Sequence, residues 1–195
     1  LNRIYQDILS IFNSVKNKND TEDYIRCLDG LEIRENFYEL VNGFIKTLST
    51  CQMLHDFPEK IDYAKMERYQ KDLKKFIEIK KITKAMYAES VDFSKYEDQI
   101  RRILNKYVSS QDVEILCKEI PLSDIAEFNK YINDEKNGLS NRSKAEAIAA
   151  QTQKIVKEKY NEDPLFYKNF SERIELLISQ LKEAKQEDLF ALLDK

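Results

Sequence analysis

Apolar positions recur along this chain at three- and four-residue spacing, the mark of one face of an α-helix. Over residues 2–16 they fall at Ile4, Ile8, Leu9, Ile11, Phe12 and Val15, and the polar run Asn17 to Asp20 ends the pattern. Thr21 is placed to cap a short helix reaching Leu28, where Asp29-Gly30 signals a turn. From 32 to 54, Ile33, Phe37, Leu40, Val41, Phe44, Ile45 and Leu48 keep the helical period, which predicts a long helix packed on a core. The stretch 59–88 is longer still. Its Met66, Tyr69, Leu73, Phe76, Ile77, Ile79, Ile82 and Met86, set at about 100° per residue, cover more than half of the helix circumference. Such a helix is central and is touched by neighbours on more than one side.

The second half of the chain reads the same way. Ser94 and Glu97 have capping-box spacing and open a helix with Ile100, Ile103, Leu104 and Tyr107 inward. A short helix near 112–118 ends before Pro121; Ser123 is placed to cap another, with Ile125, Phe128 and Ile132 apolar, which stops near Gly138. Ser143 and Glu146 make another capping-box pattern, ahead of Ala145, Ile148, Ala149, Thr152, Ile155 and Val156. Asp163 is a good N-cap and Pro164 suits the first helical position, where its missing N–H costs nothing. The helix it opens carries Phe166, Phe170, Ile174, Leu177, Ile178 and Leu181 on one side, and a last short helix is expected around 189–193. No stretch alternates with the period of two that a strand requires. The expected fold is all-α: a helical bundle of about seven to nine helices, with a long central helix near 59–88 and a C-terminal helical hairpin near 143–182.

Composition narrows this further. A chain of 195 residues fits one helical domain over 1–195, or one such domain with residues 1–30 as a helical extension. It buries roughly 70% of its unfolded surface and needs no disulfide or metal to fold. Three Gly and three Pro against 34% charged and 42% hydrophobic residues favour helices over a turn-rich β fold. The net charge of −3 is not that of a general nucleic-acid binder, so any DNA contact requires a local patch. Cys27, Cys51 and Cys117 are odd in number and far apart, which suits reduced cytoplasmic thiols better than a disulfide frame. No apolar run approaches the roughly 20 residues of a membrane span. The chain opens at Leu1 inside a helical pattern with no initiator Met, and the expectation is a piece of a larger protein.

The stretch 144–171 carries a more specific set of letters: Lys144-Ala145, Ile148-Ala149, Thr152, Ile155, Glu158-Lys159, Glu162-Asp163-Pro164, Phe166-Tyr167 and Phe170-Ser171. A second set is Tyr87-Ala88-Glu89, Val91-Asp92, Tyr96-Glu97, Ile100, Leu104 and Val108. Together they resemble the C-terminal part of the R subunit, the motor and nuclease subunit, of type I restriction-modification enzymes. The resemblance covers about residues 33–179 and is strongest in its C-terminal third; residues 1–30 match nothing in that pattern. It implies a parent enzyme, an ATP- and Mg-dependent type I site-specific deoxyribonuclease, that translocates and cuts DNA far from its recognition site. It implies for this region a non-catalytic role, docking the motor subunit on the methyltransferase and specificity subunits, bracing the motor domains of its own chain and meeting DNA only through the complex.

The residues themselves supply no catalytic set. No Gly-rich loop of the phosphate-binding kind is present, and three isolated glycines cannot form one. Asp72…Glu78-Ile79-Lys80 imitates the Asp…Glu-x-Lys order of the family's nuclease domain, but inside a helical period Glu78 points about 160° from Lys80 and the three cannot converge on a metal. His55 follows Cys51 by four residues, half of a metal site at most; a buried thiol and a surface imidazole is the preferred reading. No cofactor or metal is therefore expected in this stretch of chain. The long helix holds nine Lys/Arg against five Asp/Glu over 58–87, so Lys71, Lys74, Lys80, Lys81 and Lys84 are the candidates for contact with DNA or a partner. Lys80 and Lys84 project toward the apolar arc, where they either snorkel or present charge to a partner. Solvation of a mixed-sign face, which gives little counterion release, is preferred to DNA contact. Tyr160 and Tyr167, beside the hairpin loop, are expected first in the core, with a role as interface anchors as the alternative.

Overall fold

The computed structural model describes residues 1–54, 61–89, 93–104, 109–120, 124–160 and 162–183. Among them are nine α-helices and no strand: α1 (Asn2–Ile11), α2 (Thr21–Arg26), α3 (Leu31–Met53), α4 (Tyr63–Met86), α5 (Glu97–Leu104), α6 (Ser110–Cys117), α7 (Ile125–Ile132), α8 (Asn141–Lys159) and α9 (Pro164–Glu183). Short 3-10 turns at Ser94–Tyr96 and Glu135–Asn137 precede α5 and α8. The all-α expectation holds, with the long helix and the hairpin where the periodicity put them. His55, Ser123, Tyr107 and the short helix expected at 189–193 lie outside the described residues.

The helices fall into two compact units. The first gathers α1, α2, α3, α4 as far as Lys81, α5 and α6; the second takes the last turns of α4 from Ile82 together with α7, α8 and α9. In the first unit α3 packs against α1 and α5, and α5 against α6. Its core is aromatic at one end. The Tyr5 ring lies tilted against Phe44 at 5.7 Å and meets Tyr69 edge-on at 4.7 Å, while Phe12 meets Tyr24 edge-on at 5.0 Å and Phe37 at 5.2 Å. Edge-to-face pairs of this kind contribute about 0.5–1.5 kcal/mol each beyond the area they bury. Tyr5, Ile8, Phe12, Tyr24, Ile25 and Leu28 are all buried, so residues 1–30 form part of this core and do not extend from it. In the second unit the α8–α9 hairpin is the main pairing, and α7 packs on α8 around Phe128 and Ile132.

Caps explain where several helices begin, and they shift three of the expected starts. Asp20, one residue before Thr21, accepts from the amide of Glu22 at 2.9 Å. Asp124 accepts from Ala126 and Glu127, both at 3.0 Å, and begins α7. Ser140 accepts from the Ser143 amide at 3.3 Å, so α8 starts three residues before the Ser143–Glu146 pattern and places Ser143 inside the first turn. For α2 and α8 the cap stands upstream of the side chain that spacing suggested and for α7 one residue downstream, and in each case the cap has the extended backbone that capping requires.

Helix C-termini are closed differently. Glycine is the usual residue there, in the left-handed conformation, but the chain has only three. Gly138 ends the Glu135–Asn137 turn in that way, at φ 63°. Elsewhere long polar side chains reach across to the orphaned carbonyls. Arg34 of α3 donates to the carbonyls of Leu28 (3.2 Å) and Asp29, just past α2. Gln70 of α4 donates to Ile103 in the last turn of α5 at 2.6 Å. Lys81 of α4 donates to Ile115 and Leu116 at the end of α6, at 2.8 and 3.2 Å. Gln70 and Lys81 of α4 thus meet end carbonyls of two short helices, and Arg34 of α3 secures the turn that follows α2, all three as buried polar groups.

Candidate functional site

The lysines of α4 divide into two sets. Lys71 and Lys74 face outward: Lys71 pairs with Glu67 at 3.0 Å and Lys74 lies 3.9 Å from Glu78, both at i,i+4 spacing on a half-exposed face. Pairs of this sort contribute a few tenths of a kcal/mol and leave the face mixed in sign. Lys84 is half-buried near the end of the helix. Lys80 and Lys81 are buried, at 4% and 7% exposure.

That burial corrects the candidate contact set. The Lys80 ammonium donates to the Tyr38 carbonyl at 3.2 Å and to Asn42 Oδ1 at 2.8 Å, and it lies 5.4 and 5.1 Å from the ring centroids of Tyr38 and Phe93. Lys81 is spent on the carbonyls that end α6. A polyanion needs exposed, mobile ammonium groups that can shed counterions into solvent, and neither lysine offers one. Both are parts of the core of the first unit. Burial disfavours the charged amine of Lys81 and, helped by Lys118 nearby, holds its pKa down to about 8, with Cys117 opposing the shift. Cys117 is pushed the other way, up to about 11, first by burial and then by Glu97.

The Asp…Glu-x-Lys look-alike is dispersed, as the helical period requires. Asp72 accepts from the Tyr5 hydroxyl and lies 3.7 Å from Arg68; Glu78 sits beside Lys74; Lys80 points to Asn42. Among the described residues there is no group of three or more His, Cys, Asp or Glu side chains that could hold a metal. Cys27 and Cys51 are half-buried and Cys117 is buried, all three as free thiols.

The hairpin presents aromatics at its turn. Tyr160 is 42% exposed and Phe170 38% exposed, while Tyr167 is half-buried. Of the two candidate anchors, Tyr160 therefore offers its ring to solvent and Tyr167 is partly used inside the second unit. On α8 the buried residues are Ala145, Ala147, Gln151 and Val156, a wider set than the single stripe the spacing suggests. The structure also shows a shallow groove that sequence reasoning missed. It has a volume of about 480 Å³ and is lined by Ile11, Ser14, Cys27, Glu32, Ile33 and Asn36. Cys27 Sγ lies 3.3 Å from Ser14 Oγ and 3.3 Å from the Asp23 carbonyl at its edge. Ile33 is 46% exposed there, although its spacing assigned it to the core. No signal in the sequence links residues from three helices into such a surface. No described helix is long and apolar enough to cross a membrane. No protein-family model, curated protein or solved structure matches this chain.

Proposed function

We propose that this chain is a non-catalytic helical region from the C-terminal end of the R subunit of a type I restriction-modification enzyme. In this reading it docks the ATP-driven, DNA-cleaving subunit onto the methyltransferase and specificity subunits in the cytoplasm. The single observation that carries it is the letter pattern from Lys144 to Ser171, with its second part at Tyr87 to Val108. The first set of letters falls on a hairpin that exposes Tyr160 at the end of α8 and Phe170 on α9, and exposed aromatics are frequent anchors of protein interfaces. ATP, Mg and the nuclease chemistry belong, in this reading, to the parent enzyme and not to these residues.

A tracking role on DNA is the weaker reading, because its best cations, Lys80 and Lys81, are occupied inside the core. The test is co-elution of the chain with a reconstituted methyltransferase core on size exclusion, and competition with intact R subunit for it. Binding that weakens at least tenfold in Tyr160→Ala supports docking through the hairpin. Failure of the unsubstituted chain both to co-elute and to compete rules the reading out. Salt-dependent binding of the chain to duplex DNA, with no binding to the methyltransferase core, moves the assignment to the DNA-contacting reading. An upstream parent sequence with neither a phosphate-binding loop nor a nuclease motif makes the chain a stand-alone helical scaffold.

A further inference from the structure

The outward face of α3 carries charge of one sign beside an open apolar groove. Glu32, Glu35 and Glu39 recur at i, i+3 and i+7, so they form one stripe along the helix, and all three are exposed. None of them pairs with a cation among the described residues, whereas on α4 and α8 Glu67, Glu78 and Glu146 each have a Lys or Arg one turn away. On α3 the neighbours at that spacing are again glutamates, and like charges so placed destabilise the free helix. Glu32, in the first turn, is offset by the helix dipole; Glu35 and Glu39 lie beyond its reach. The stripe runs beside the groove. Glu32 belongs to both, and Asn36, which also lines the groove, stands about 40–100° round the helix from the three glutamates. Ile11, Cys27 and Ile33 make the groove largely apolar, and no lining residue is a cation. On its α1 side Asp7 is exposed one turn before Ile11, while the exposed Arg3 and Lys16 stand one turn before Asp7 and two residues past Ser14. Leu31, 56% exposed, borders the stripe on its other side.

We propose that this face of the first unit docks a basic amphipathic helix of a partner protein, with its apolar side in the groove and its Lys or Arg residues over the α3 stripe. Three carboxylates over about 10 Å of helix match cations at the same i, i+3, i+7 spacing on a second helix, and the groove takes that helix's apolar side chains. Binding also relieves the repulsion among the glutamates, which nothing within the free chain does. The same charge repels nucleic acid and anionic membranes, so a protein partner is the class that fits. A metal does not fit, since the described carboxylates include no group of three or more that could hold one. The docking face is separate from the α8–α9 hairpin and does not depend on the restriction-enzyme reading.

The probe is a fluorescent peptide of about 15 residues, built of leucine and lysine with the leucines on one helical face, titrated with the whole chain and read by anisotropy. At low salt it binds. The double change Glu35→Gln, Glu39→Gln weakens binding about tenfold, and Ile33→Ser weakens it about fivefold. Neutralising two exposed acids elsewhere, Glu127→Gln with Glu172→Gln, changes it less than about twofold. The urea midpoint of the free Glu35→Gln, Glu39→Gln chain is unchanged or raised, so its weaker binding is not lost folding. Bound peptide also slows alkylation of Cys27, which lines the groove, and leaves that of Cys51 unchanged. No binding at low salt overturns the proposal. So does equal binding of a peptide with the same composition and scrambled leucines, or an equal loss in the two pairs of acid substitutions. Self-association of the chain alone that Ile33→Ser abolishes gives the face to a second copy and overturns it too.

Discussion

Lys154 on α8 donates a hydrogen bond from Nζ to the carbonyl of Ala88, 2.8 Å away, and Ala88 is the residue that ends α4 in a left-handed conformation at φ 51°. The amide of Glu89 reaches back to Lys84 at 2.8 Å and that of Ala88 to Ala85 at 3.1 Å, the pair of bonds that normally closes a helix over a glycine. Here an alanine occupies the glycine's place and is buried at 6% exposure. Its Cβ makes that backbone unfavourable by about 1 kcal/mol, and a long side chain from another helix secures the carbonyl.

Ala88→Gly should therefore stabilise the protein by about 1 kcal/mol, read as a higher urea midpoint at unchanged slope. Lys154→Met should lower the midpoint by about 0.5–1.5 kcal/mol, because it removes the bond to the Ala88 carbonyl. A destabilised Ala88→Gly chain would show that the left-handed assignment is wrong.

Stability should rise from pH 8 to 9 and turn over above. Lys81 has a folded pKa of about 8 against an ordinary 10.5, so unfolding takes up a proton across that window. Its destabilisation is present in full below pH 8 and fades as pH rises, a gain of about 1 kcal/mol between pH 8 and 9. Cys117, raised from 9.0 to about 11, is protonated when folded and ionised when unfolded over its own window, so stability falls there. Tyr5, whose pKa burial and Asp72 also raise, adds to the alkaline loss. Urea midpoints at pH 7.5, 9 and 11 check the sequence of signs; a steady fall from 7.5 to 9 would contradict it.

Lys80→Ala should cost about 2–4 kcal/mol, because it opens a cavity in the core and strips Asn42 of its donor. Lys80→Met, which keeps the stem, should cost less, and the double change with Asn42→Leu should recover part of the loss. Denaturant unfolding of the three chains measures the coupling. Equal losses in Lys80→Ala and Lys80→Met would mean that the ammonium and not the packing of the stem matters at this position.

Ser140→Ala should destabilise α8 by about 1 kcal/mol and Ser143→Ala by distinctly less. Thermal unfolding ranks the two directly, and the reverse order would restore the start that the capping-box spacing suggested.

Much of the fold was legible because helix formation is local. The period of three and four set the span of α3 to within a residue at each end, and Pro164 marked the start of α9. Starts were less secure: Asp20, Asp124 and Ser140 each took a cap that spacing had given to a neighbour, since choosing between adjacent oxygen-bearing side chains depends on backbone angles that no spacing encodes. Of the candidate site, the outward place of Lys71 and Lys74 was readable, whereas Tyr160, whose spacing favoured the core, is exposed. The burial of Lys80 and Lys81 was not readable, and neither was the Cys27 groove.

By itself the sequence determined that this chain is helical and where its helices run, because apolar period and local capping act within a few residues. Only the tertiary structure decided what each polar residue on α4 is for. A lysine's letter is the same in water and in a core. Its surroundings there come from Tyr38, Asn42 and the end of α6, which lie 34 or more residues away along the chain and meet α4 only when the bundle closes.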